Sequence, residues 1–130
     1  MLEAARAGED ALLIAPTGGG KTLGGFLPSL VDLAGAIDPG DRQRPHALHT
    51  LYLSPLKTRT GDTPASKRTR QRERPPDILL TTPEQLALFC ASPNAARYFC
   101  DLKRIIIDEI HALAPQKRGD LLSLGLATLA

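Results

Sequence analysis

Apolar residues along the chain cluster into short runs, and the stretches between them carry helical spacing. The runs are 11–15 (Ala-Leu-Leu-Ile-Ala), 47–54 (with Leu48, Leu51, Tyr52 and Leu53), 77–82 (with Ile78, Leu79 and Leu80) and 103–108 (with Ile105, Ile106 and Ile107). A run that is apolar on both faces and bounded by polar or turn residues suits a strand buried inside a parallel sheet. The run at 103–108 is the clearest, being β-branched and ending in an acid.

Between the runs, Leu23, Phe26, Leu27, Leu30 and Leu33 recur at helical intervals and predict one inward face of a helix over 21–36. Gly24 and Gly25 weaken that helix, and Pro28 is expected to kink it. Pro83 opens a further helix with Leu86, Leu88 and Phe89 inward, a short helix follows at 93–99, and a final one covers 119–130. Residues 2–7 read as the tail of a helix capped by Gly8, which suggests sequence upstream of Met1. Asp38-Pro39-Gly40-Asp41 is a turn within a polar loop at 38–46. Thr63-Pro64 starts a helix running to Arg74, where Pro75-Pro76 stop it, although that segment has almost no apolar face. Strands alternating with helices predict an α/β fold with a parallel sheet and ligands at the carboxyl ends of the strands.

Composition narrows this little. A chain of 130 residues with 42% hydrophobic content supports one domain with a core, and a net charge of +2 gives no whole-chain argument for nucleic acid. Aromatic residues make up 4% with no Trp, so no stacking platform for single-stranded bases is evident. Cys90 and Cys100 lack metal-ligand spacing and are expected to be small buried apolar residues. His46 and His49 have no partners at metal spacing. No apolar run approaches the roughly 18 residues of a membrane span, and residues 1–6 lack a signal-peptide pattern. The expectation is a cytoplasmic protein with no membrane partner.

The chemistry concentrates in two places. Ala15-Pro16-Thr17-Gly18-Gly19-Gly20-Lys21-Thr22 follows an apolar run and precedes a helical one, the order of a phosphate-binding loop. Glycines let backbone N–H groups turn inward into an anion nest, and the helix start adds partial positive charge. Lys21 would reach the terminal phosphates, and the Thr22 hydroxyl would hold Mg²⁺. The strict pattern starts with glycine where this chain has Ala15, and a flexible loop is the plain alternative. Asp108-Glu109-Ile110-His111 ends the clearest strand. Asp108 would bind Mg²⁺, and Glu109 would orient or deprotonate an attacking water. The alternative is a pair of helix-capping acids with an ordinary histidine. Between Lys57 and Arg74 positive charge dominates, but Lys67, Arg68, Arg70 and Arg72 spread around a helix, as in a solvated segment.

Ala-Pro-Thr-Gly-x-Gly-Lys-Thr followed by Asp-Glu-x-His resembles the first RecA-like domain of superfamily 2 helicases. Leu53-Ser54-Pro55-Leu56-Lys57, Arg59-Thr60-Gly61-Asp62-Thr63 and Leu80-Thr81-Thr82-Pro83-Glu84-Gln85-Leu86 make the chain similar to the large helicase-related and ligase-associated DEXH-box DNA helicases. The matching stretches occur in order over nearly the whole chain. The resemblance implies a P-loop NTPase (RecA-like) parallel sheet with flanking helices, incomplete here, over residues 1–130. It implies ATP and Mg²⁺ as ligands and single-stranded or forked DNA as partner, with DNA-repair or ligase-associated proteins as further partners. Pro16, Thr17, Gly18, Gly19, Gly20, Lys21 and Thr22 would be motif I. Ser54, Pro55, Lys57 and Arg59 would contact the DNA backbone in and beside motif Ia, and Gly61 and Asp62 in a glycine-containing motif. Thr82, Pro83 and Glu84 would form motif Ib. Asp108 to His111 would be motif II, with Lys21 and Glu109 catalytic and His111 coupling hydrolysis to strand movement.

Departures from the family pattern accompany the likeness. A helix and strand normally separate the Ser-Pro-Leu-Lys stretch from Arg-Thr-Gly-Asp-Thr, so an internal deletion near 57–58 is expected. The upstream glutamine motif, motif III and the second RecA-like domain are not found. Two readings stand: the ATPase portion of a DNA helicase, or a truncated, non-catalytic product with at most weak nucleotide or DNA-backbone binding. A P-loop kinase or GTPase is disfavoured, since no base-recognition motif or lid-like arginine segment accompanies the loop.

Overall fold

The computed structural model describes residues 1–16, 18–36, 47–55 and 73–130. They divide into two compact units, Met1–Arg44 and Pro45–Ala130.

In the first unit, α1 (Leu2–Ala7) ends as expected on a left-handed Gly8, whose N–H returns to the carbonyls of α1. Residues 11–15 form no strand, which corrects the sequence expectation. Leu12 is 74% and Ile14 84% exposed. Apolar content supplies strand propensity, but a strand exists only where a neighbour satisfies its backbone groups. Leu13 instead lies over Gly24, where an added Cβ would sit 3.0 Å from its Cδ2. Helix α2 (Lys21–Gly35) continues through Pro28, which is buried with Ser29. Of the stripe expected to face inward, Leu23, Leu27 and Leu30 are exposed and only Phe26 and Leu33 are half-buried.

The second unit holds a three-stranded parallel sheet in the order β2-β1-β3. Its strands are β1 (Thr50–Leu53), β2 (Ile78–Thr81) and β3 (Arg104–Ile107). Each lies inside its predicted run. Leu51 pairs with Leu79 on one side and Ile105 on the other, and Tyr52 with Leu80 and Ile106. β1 is buried along its whole length because it has a strand on both sides. Around it run α3 (Pro83–Cys90), α4 (Ala95–Phe99), α5 (Ile110–Leu113) and α6 (Lys117–Leu129). The core joins Leu48, Leu51, Leu53 and Leu79 to Leu86 of α3, Tyr98 of α4, Leu113 of α5 and Leu122 of α6. Phe89 stacks on Tyr98 with ring centroids 5.1 Å apart.

Helices α3 and α6 pack closely because Gly125 has no side chain. A Cβ there would come within 2.8 Å of Leu86 Cδ2. Leu88, expected inward, is exposed. Leu86, Phe89 and Cys90 follow the i, i+3, i+4 pattern toward the core, and position 88 falls on the opposite side of the helix. Cys90 is half-buried, whereas Cys100, also expected buried, is exposed beyond the end of α4. His49 is buried just before β1, its Nδ1 2.8 Å from Thr50 Oγ1. The turn at 38–41, His46 and most of the helix expected at 64–74 lie outside the described residues. Among the described residues no helix is long and apolar enough to cross a membrane.

Candidate functional site

The glycine loop takes its shape from its own backbone. Gly19 N–H donates to the Pro16 carbonyl at 3.0 Å, closing a turn. Gly18 and Gly20 have φ of 82° and 73°, the left-handed region that residues with a Cβ enter only under strain. At Gly19 an added Cβ would meet the Pro16 oxygen at 2.9 Å, whereas at Gly18 and Gly20 it would meet open space. Gly20 caps α2 without a side chain, and the first turn contains no acid. The uncapped N–H groups and the partial positive charge at this helix start therefore suit an anion. Lys21 and Thr22 form that first turn. Thr17 lies outside the described residues.

The acids are placed by distant parts of the second unit. Asp108 N–H donates to the Leu53 carbonyl at 2.8 Å, carrying the β1–β3 ladder one step past β3. Since Tyr52 pairs with Ile106, the side chain two residues later belongs to the same face of the sheet. The Tyr52 hydroxyl accordingly donates to Asp108 Oδ2. Asp108 Oδ1 accepts the Glu109 N–H at 2.9 Å, so both carboxylate oxygens are held. Burial, reinforced by the hydrogen bond to Asp108 and by the charges of Asp108 and Glu109, raises the Tyr52 hydroxyl well above its usual pKa and keeps it a donor.

Glu109 has φ 52° and ψ 42° and is the one non-glycine residue with positive φ among those described. That conformation costs on the order of 1–3 kcal/mol and is characteristic of functional sites. It turns the chain sharply from β3 into α5. The Glu109 carboxylate reaches His111, with Oε2 3.1 Å from Nε2, and His111 is largely exposed.

A third group forms where β1 and β2 end side by side. Ser54 N–H donates to the Thr81 carbonyl at 3.2 Å. Thr82 caps α3, its Oγ1 3.5 Å from the Gln85 nitrogen, and Pro83 takes the first helical position. Ser54 is buried. Glu84 was expected to face DNA, but its carboxylate accepts a hydrogen bond from Arg118 Nε in α6. Arg118 Nη1 donates in turn to the Pro55 carbonyl at 2.8 Å. The Arg118 hydrogen bond is the main reason that Glu84 is held down to a pKa of about 2. Glu84 Oε2 is buried with no hydrogen-bond partner among the described residues. Lys57, Arg59, Gly61 and Asp62 lie outside the described residues.

The second unit thus brings Tyr52, Asp108, Glu109 and His111 into one group, and Pro55, Glu84 and Arg118 into another. The glycine loop belongs to the first unit. Tyr52 and Arg118 were not singled out from sequence. Strand alternation and pairing register could have flagged Tyr52. Nothing in the local sequence marks Arg118.

The DEAD/DEAH box helicase family model matches residues 56–130, more than half of the chain. The chain is 38% identical over 157 residues to the Lhr helicase/uracil glycosylase of Escherichia coli, covering 93% of this chain and 10% of that protein. It is 35% identical over 156 residues to the Lhr helicase/probable uracil glycosylase of Mycolicibacterium smegmatis, with 94% and 10% covered. It is 33% identical over 155 residues to the ATP-dependent helicase Lhr-Core of Methanothermobacter thermautotrophicus, with 94% and 18% covered. The chain therefore spans less than a fifth of the length of these relatives. No solved structure matches it significantly. A glycine loop at a helix start, an acid pair at a strand end and a family match over residues 56–130 lead to one assignment: the chain belongs to the DEAD/DEAH box helicase family.

Proposed function

We propose that this chain is the ATP- and nucleic-acid-binding portion of an ATP-dependent DNA helicase of the DEXH type, a partial first RecA-like domain spanning residues 1–130. The observation that carries this reading is Asp108 at the end of β3, both of its oxygens held by hydrogen bonds, in a chain whose glycine loop opens α2 with left-handed glycines and no capping acid. The loop from Pro16 to Gly20 would cradle phosphate oxygens on the backbone N–H groups that follow Pro16, and Lys21 would reach the terminal phosphates. Thr22 and Asp108 are suited by donor type to hold Mg²⁺, which when bound neutralises charge on the phosphate oxygens. Glu109 would take a proton from the attacking water or orient it, and His111, in contact with it, would couple that residue to movement along the strand. Pro55 and Thr82 would meet a DNA backbone, with Lys57, Arg59, Gly61 and Asp62 as further contacts, whereas the buried Ser54 and Pro83 would support that surface from beneath.

An internal deletion near 57–58 remains part of this reading. A match of 155 positions against a chain of 130 leaves at least 25 positions of the relative opposite gaps, which supports it. The names of two relatives join helicase to uracil glycosylase. That pairing is in keeping with a DNA-repair setting, and the same proposal includes DNA-repair or ligase-associated partner proteins and a cytoplasmic location. The second reading, a non-catalytic product with weak nucleotide or DNA-backbone binding, is favoured by one observation: residues 11–15, which lead into the loop, form no strand.

Thermal melting separates the two. Mg-ATP at about 100 times Kd should stabilise the chain by about 2.7 kcal/mol, and Lys21→Ala should lose that shift. A shift unchanged in Lys21→Ala removes the loop from the site. A broad melt without nucleotide response, together with salt-sensitive DNA association, favours the second reading.

A further inference from the structure

Arg118 occupies the first turn of α6, just past the short helix α5 that follows the acid pair. Its guanidinium spans two elements, donating from Nε to Glu84 in the first turn of α3 and from Nη1 to the Pro55 carbonyl, 2.8 Å away, after β1. Gly119 fixes the base from which it reaches. A Cβ at Gly119 would lie 2.8 Å from both the Ala114 and Leu113 carbonyl oxygens, so only glycine lets α6 start this close to α5. A continuous series of short-range constraints therefore runs from Asp108-Glu109 through α5 and Gly119 to Arg118, and from there to the ends of β1 and β2.

We propose that Arg118 is a positioning residue for nucleic-acid binding, tying the segment after β1 and the start of α3 into one surface that meets a polynucleotide backbone and joining it to the segment that bears the acids. This inference rests on the proposed function, in which Pro55 and Thr82 meet that backbone. Two physical effects support it. The planar guanidinium offers donors in a fixed fork, so it can hold two acceptors on different elements, which a lysine ammonium on a flexible stem does poorly. The second effect is electrostatic. A carboxylate in the first turn of a helix that is to receive a phosphate would repel it. Pairing with Arg118 draws the Glu84 charge aside and leaves the α3 helix start available to an anion.

Fluorescence anisotropy of labelled oligothymidylate on the full chain, over a series of salt concentrations, tests this. Arg118→Met should weaken binding about tenfold, and Arg118→Lys should recover little of the loss. Both variants should keep a cooperative melt and the Mg-ATP shift. The slope of log affinity against log salt should stay that of the wild-type chain, because a positioning residue releases no counterions of its own. Arg118→Met/Glu84→Gln should bind about threefold more tightly than Arg118→Met alone, since the unpaired carboxylate is gone. Wild-type affinity in Arg118→Met overturns the inference and leaves the proposed function standing. A salt slope reduced by about 1 also overturns it, because Arg118 would then touch a phosphate itself. Failure of the double variant to recover binding overturns the electrostatic part. A variant that does not fold is replaced by Arg118→Lys, for which full affinity is the overturning result. A wild-type chain that does not bind the oligonucleotide at low salt overturns this inference together with the nucleic-acid part of the proposed function.

Discussion

The glycine loop and the acid pair are built in opposite ways. Pro16 and residues 18–22 draw their form from neighbours in sequence: one turn hydrogen bond, two left-handed glycines and the start of a helix. Asp108 draws its place from Tyr52, 56 positions away, and from the β1–β3 register that sets the two on one face. The loop keeps its turn while Leu12 and Ile14 beside it are exposed. The acid depends on a core that includes Leu51 and Leu53. In the proposed function, phosphate binding would thus be a local device, whereas the chemistry acting on the phosphate would depend on long-range packing.

Substitutions can break this contrast, and the largest effect is expected at Glu109. Glu109→Gln should lower phosphate release about 10²- to 10⁴-fold while the Mg-ATP melting shift persists. Unchanged turnover would leave the acid half without a chemical role. Next is a paired test of packing. Leu51→Ala in the fully buried centre of β1 should cost about 2–5 kcal/mol in chemical denaturation. Leu12→Ala should stay within about 0.5 kcal/mol. Similar losses at both would mean that the segment before the loop is as deeply engaged as the sheet.

Tyr52→Phe removes one of the two groups holding Asp108. It should raise the Mg²⁺ concentration needed for half of the ATP-induced stabilisation by about 10-fold or more, and leave nucleotide binding without metal unchanged. An unaltered Mg²⁺ requirement would detach the acid from the register that places it. The smallest effect concerns Glu84. Its folded-state pKa is about 2, below the ordinary value of about 4.3. The Glu84–Arg118 pair therefore contributes fully above about pH 4.3, and its contribution is lost as pH falls toward 2. Because Glu84 is more than a third exposed, solvent screening limits this to about 1 kcal/mol or less. Acid unfolding followed in wild type and Glu84→Gln should differ only in that interval, and coincident curves would show that the pair adds nothing to stability.

What could be read from the sequence follows the same division. The loop was legible because glycine, lysine and threonine at fixed spacing determine a local backbone. β1, β2 and β3 were legible because each is a short apolar run that finds a partner. Residues 11–15 carry the same signal and form no strand, since pairing is a property of two segments and an apolar run describes only one. Leu88 was misplaced because its neighbours are apolar, although the helical period puts it opposite Leu86. Arg118 was not legible at all, because its meaning lies in Glu84, 34 positions away, and Pro55, 63 positions away. The left-handed backbone at Glu109 was hidden for a related reason: glycine ordinarily marks such a turn, and here a glutamate occupies it.

That turn makes position 109 a place where folding and chemistry can be scored separately. Glycine there would relax the backbone and remove the carboxylate, so it should yield a chain that is at least as stable and catalytically silent. Asparagine tolerates the left-handed region better than most residues and should behave similarly. A β-branched residue should lose both properties. Saturation of this one codon, read once by abundance and once by turnover, would therefore give two differently ordered rankings of the same residues, and the gap between them would measure what the chain gives up in stability to hold an acid at that bend.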